Sequence, residues 1–92
     1  MTVNQVSELM AGGRFKEALR ALEHGAVPAV DRQAADVLTA ELYERLGDYA
    51  RARMLADAVT RSKTLPPALR STCEFVLALI GRLEQPALLQ AP

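Results

Sequence analysis

Tryptophan is absent from this chain, and two tyrosines and two phenylalanines are its whole aromatic content. The apolar half of the composition is carried instead by Ala, Leu and Val, which suits packed helices better than sheets. A lone cysteine, Cys73, excludes an internal disulfide, so the chain reads as cytoplasmic and Cys73 as a small buried hydrophobe. His24 is the only histidine; with no cysteine pair beside it, a zinc site has no ligand set, and a histidine near a helix end is expected to serve the unpaired carbonyls there. Formal net charge is zero. That removes the basic footprint of a nucleic-acid binder and gives little protection against self-association.

Long hydrophobic runs are missing too. The longest, Phe75 to Ile80, falls far short of the roughly 20 residues that cross a bilayer, so no membrane partner is expected. No basic start followed by an apolar stretch suggests a signal peptide. Ser7, Ser62 and Ser71 have no base at a recognisable spacing, and Gly12-Gly13 is not followed by the Gly-Lys-Ser/Thr of a phosphate loop. The expectation is a non-catalytic chain with no cofactor and no metal.

What the sequence does contain is a repeated phrase. Leu46-Gly47-Asp48-Tyr49-Ala50-Arg51-Ala52 reads as a sharp corner between two helices. Gly13-Arg14-Phe15, followed by Ala18, precedes it, and Gly81-Arg82-Leu83 comes after it at the same interval. Around these glycines the apolar residues fall at helical spacing. Thr2 is the candidate N-cap of a first helix bearing Val3, Val6, Leu9 and Met10, which Gly12-Gly13 stops. Phe15, Ala18, Leu19 and Leu22 line a second helix, which ends at Gly25 and Pro28. A third is expected from Asp31, as its cap, to about Leu46, with Ala35, Leu38, Leu42 and Leu46 in one row and Ala40 and Tyr43 in the next. The fourth carries Tyr49, Ala52, Ala56 and Val59 and fades at Ser62-Lys63-Thr64. Pro67 suits the first turn of a fifth, with Leu69, Cys73, Val76, Leu77 and Ile80 on one side, Phe75 and Leu79 on another, and Gly81 as its end. Pro86 interrupts any sixth helix, leaving Ala87-Leu88-Leu89 as a short remnant.

A unit of about 34 residues, two helices with glycine at the corner, resembles the tetratricopeptide repeat. Ala40, Tyr43, Gly47, Asp48, Tyr49, Ala52 and Ala56 carry the likeness best; Asp36 departs from it, standing where the family prefers a large aromatic, as do Glu74 and Pro86. The resemblance implies an all-α fold of antiparallel hairpins stacked as a short right-handed solenoid, five helices plus a tail. Its units would span about 1–30, 31–64 and 65–84, with 85–92 as the tail. It also implies a protein or peptide partner held in a groove lined by Val3, Ser7, Met10, Val37, Glu41, Glu44, Arg45, Ser71, Phe75 and Leu79. Three uses follow as expectations: an interaction module, such as the N-terminal part of a larger bacterial regulator or scaffold; a small dedicated chaperone shielding an apolar helix; or a homodimer built through the fifth helix.

Overall fold

The structure, a computed structural model, describes residues 2–25 and 28–84. Its helices are α1 (Val3–Ala11), α2 (Phe15–Glu23), α3 (Arg32–Arg45), α4 (Tyr49–Thr60) and α5 (Pro67–Glu84), with a 3-10 turn at Ala29–Asp31 ahead of α3. No strand occurs among the described residues. The expected tail, with Pro86 and Ala87-Leu88-Leu89, lies outside them.

Thr2 opens α1 with a reciprocal cap: its hydroxyl accepts from the Gln5 N–H at 3.2 Å, and its own N–H donates to Gln5 Oε1 at 2.8 Å. The corners after α1 and α3 are built alike. At the first, Gly13 N–H donates to Met10 O at 3.0 Å and Arg14 N–H to Leu9 O at 2.8 Å. At the second, Gly47 N–H donates to Glu44 O at 3.1 Å and Asp48 N–H to Tyr43 O at 2.8 Å. Each is a Schellman ending, which needs a left-handed residue in the middle; Gly13 and Gly47 supply it at φ 78° and 86°. The recurrence of the phrase in sequence is thus a recurrence of backbone hydrogen bonds.

Two sequence expectations fail here. Asp31 stands at the N-cap of α3 but its side chain caps nothing. The 3-10 turn, closed by Asp31 N–H to Pro28 O at 2.9 Å, holds it at φ −97°, ψ 15°, far from the ψ of 164° at which Thr2 caps α1 and the 73° at which Asp48 caps α4. Gly81 does not end α5, which continues to Glu84, and the third corner is not formed. Glycine permits a turn without imposing one. The row Cys73, Val76 and Ile80 holds α5 in the core, and the cost of a glycine inside a helix, about 1 kcal/mol, is smaller than what burying an isoleucine contributes, roughly 1.5–3 kcal/mol.

Among the described residues, three apolar clusters hold the helices together. Val6 (α1), Ala18 (α2) and Leu42 (α3) form the first, with Leu9, Phe15, Leu19 and Leu38 against it. The second joins Val37 and Ala40 of α3 and Ala56 and Val59 of α4 to Cys73 of α5 and to Leu65, just ahead of that helix. Ala52, Val76 and Ile80, flanked by Tyr43 and Tyr49, form the third. Ala18 and Ala52, at equivalent places after their corners, are both fully buried where helices approach closely. As a result α1 and α2 both pack on α3, and α3 and α4 both pack on α5. The α4–α5 link is tied down by groups the sequence did not announce. Arg70 donates to the carbonyls of Thr60 and Ser62, both at 2.9 Å, capping α4 from α5. Gln33 donates to Ser62 Oγ at 3.1 Å and Thr64 Oγ1 at 3.0 Å, and Leu65, next in the chain, is buried.

Candidate interaction surface

The continuation of α5 past Gly81 creates the surface. A helix of 18 residues presents several faces, and its core face is used by Cys73, Val76 and Ile80. Ala68, Thr72, Phe75, Leu79 and Leu83 recur at i, i+4, i+7, i+11 and i+15, which places them on one other stripe. Phe75 is 63% exposed and Leu83 44%, while Leu79 and Thr72 are half-buried. Thr72 turns its hydroxyl back to the Ala68 carbonyl at 3.1 Å, so it makes no competing polar demand on the stripe. None of these five belongs to the three core clusters. Leu83 escaped the sequence reading because Gly81 was expected to end the helix before it.

Of the remaining candidates only Ser71, one turn before Phe75 on α5, adjoins this stripe. Met10 packs half-buried on the Val6–Ala18–Leu42 cluster, with Val3 half-buried and Ser7 exposed on the same helix. Val37, 2% exposed, is core, on the part of α3 that joins the cluster containing Cys73 of α5. Glu44 is buried and ion-paired with the exposed Arg45. Ser71 is exposed on α5. Met10 and Val37 therefore contribute to packing in two different clusters, and of the candidates Ser71, Phe75 and Leu79 follow the same row of α5 as the new member, Leu83.

Glu41 is half-buried, and burial pushes its carboxyl up from the usual range; Arg45 opposes the shift and Glu44 reinforces it. The folded chain thus holds the Glu41 proton more tightly than the unfolded chain, and this group's contribution to stability falls as pH rises through the carboxylate range. Glu41→Gln is expected to raise the melting temperature at neutral pH and to lose that advantage in mild acid. Thermal melts at the two pH values test this; a variant no more stable at neutral pH would contradict it. The Cys73 thiol is pushed up as well, by burial first and then by Glu41, with Arg70 offsetting and Glu74 adding to the shift, so it stays protonated and unreactive.

Open cavities lie elsewhere. One of about 520 Å³ sits beside the first corner, lined by Gln5, Glu8, Leu9, Gly12 and Arg14. Two more, about 390 and 210 Å³, follow the seam between α3 and α4. None of the groove residues expected from sequence lines any of the three. Among the described residues no group of three or more His, Cys, Asp or Glu could hold a metal, and no helix is long and apolar enough to cross a membrane. No protein-family model, no curated protein and no solved structure matches the chain. What the surface does must be argued from its own residues.

Proposed function

We propose that the chain is a short tetratricopeptide-type array that works as a non-catalytic protein-binding module, with the outer stripe of α5 as its contact surface. The observation that carries this reading is a single helix with two apolar faces, one in the core and one in water. Large apolar side chains left exposed in a row are the usual mark of an interaction site. A stripe with 3-4 spacing suits the apolar face of a partner helix, whose own anchors would recur at i, i+3/i+4 and i+7. The array reading draws support from the paired Schellman corners, from Ala18 and Ala52 at equivalent places, and from the way each hairpin packs on the next odd-numbered helix. Whether the partner is a regulator's own continuation or a protein that needs shielding, the contact chemistry is the same: apolar anchors meeting Phe75, Leu79 and Leu83.

The test is a selection of peptides on the purified chain, with counter-selection on the Phe75→Asp/Leu83→Asp variant. Both side chains are exposed, so the variant is expected to fold, which its circular dichroism melt checks. Selected peptides should carry apolar residues at helical spacing, shift the amide resonances of residues 68–83, and lose about tenfold or more in affinity for the variant, as for removal of interface anchors. Peptides that bind the variant equally well, or that shift only residues of α1 and α2, would contradict the proposal.

A further inference from the structure

The outer side of α5 carries two opposite charges beside its apolar stripe. Glu74 and Arg82 are both exposed, and neither makes an ion pair among the described residues. They stand eight residues apart, about 12 Å along the helix at 1.5 Å per residue, and Ala78, also exposed, lies midway. The other cation of this helix, Arg70, is already held by the carbonyls of Thr60 and Ser62.

A helix laid antiparallel on this face, centred over Ala78, must offer a cation opposite Glu74 and a carboxylate opposite Arg82. A second α5 offers both. A two-fold axis at Ala78 brings Glu74 to the partner's Arg82 and Arg82 to the partner's Glu74, the reciprocal contact of an isologous interface. The same axis sets Phe75 opposite position 81, in the gap between the partner's Leu79 and the partner's Leu83. Charges and apolar side chains thus require one and the same register. The small side chain of Ala78 lets the two helices approach closely where they cross. A parallel pair would instead set like charges side by side. We infer that the helix this stripe receives is α5 of a second copy, antiparallel and centred on Ala78. The inference rests on the reading of the stripe as a contact surface and names its occupant. Zero net charge leaves no long-range repulsion against it. One helix face buries less than a standard interface, so the dimer is weak and dissociates on dilution, leaving the stripe of the monomer in water.

Light scattering over a concentration series tests this, with the circular dichroism melt of each variant checked against the wild type. The wild-type chain should pass from monomer to dimer as concentration rises. Glu74→Arg and Arg82→Glu should each raise the dissociation constant about tenfold or more, because each homodimer opposes like charges twice. Mixed in equal amounts, the two variants should dimerise with nearly the wild-type affinity, since the mixed pair restores both opposite-charge contacts. Ala78→Cys gives a readout independent of charge: on oxidation it should cross-link to itself through the axis faster than Met54→Cys, which is exposed on α4. A wild-type chain monomeric throughout, a mixture no tighter than either variant alone, or equal cross-linking at the two sites would overturn the second copy as occupant. Selected peptides that still bind such a monomer at residues 68–83 would leave the contact surface standing and only the dimer overturned. Loss of both would overturn the surface itself.

Discussion

Leu42→Ala is expected to lower the unfolding free energy by about 3–5 kcal/mol, the range for truncating a fully buried leucine that leaves a cavity. Leu42 is 0% exposed and is the α3 member of the cluster that receives Val6 from α1 and Ala18 from α2. Those two helices have nine residues each. Isolated helices below about 12–15 residues are marginal in water, so both depend on packing against α3. A domain of this size holds roughly 5–15 kcal/mol in total, and the loss is expected to release the first hairpin before the rest. Urea denaturation followed by circular dichroism measures it. Amide exchange should show residues 3–23 losing protection first. A loss below about 1 kcal/mol would mean that the first hairpin does not rest on Leu42.

Gly47→Val should cost about 1–2 kcal/mol or more, because an L-residue in the left-handed region pays that amount and a β-branched one pays the most. Beyond its own chain neighbours, no atom lies within 4 Å of where a Cβ would stand at Gly47, so the cost is one of backbone conformation. Gly81, at the equivalent place in the repeated phrase, should answer with the opposite sign. It lies inside α5, has no positive φ, and a Cβ there would also meet nothing within 4 Å. Gly81→Ala should therefore stabilise by about 0.5–1 kcal/mol. Chemical denaturation of the two variants side by side is decisive: destabilisation by both would restore a corner at Gly81.

The helices and most of the core were legible because they rest on local signals. Thr2, Gly13 and Gly47 act within a few residues of themselves, and the buried residues Val6, Ala18, Ala52, Ala56 and Ile80 each fall on the apolar stripe of their own helix. Gly81 misled because the same phrase was read without its packing context: Ile80, fully buried next to it, keeps the helix running. Arg70 and Gln33 were invisible for a different reason. Their partners are backbone and hydroxyl groups on other helices and loops, and no spacing rule joins residue 70 to the carbonyl of residue 60. The candidate surface was half legible. Phe75 and Leu79 stood out from the core face of α5, whereas Val37 and Glu44 read as groove-lining by position along α3 and are buried. The α3–α4 seam was missed because Asp36, where the repeat resemblance expects a large aromatic, borders an open cavity instead of filling it.

The most direct test is an NMR assignment of residues 67–84 together with a soluble paramagnetic probe. Helical Cα shifts unbroken through Gly81, with the Phe75 and Leu83 side chains broadened by the probe and Val76 and Ile80 untouched, are the result expected for a helix with one core face and one free apolar face. A break in the helical shifts at Gly81, with Phe75 and Leu83 protected, would mean that α5 ends early and already has a partner within its own chain.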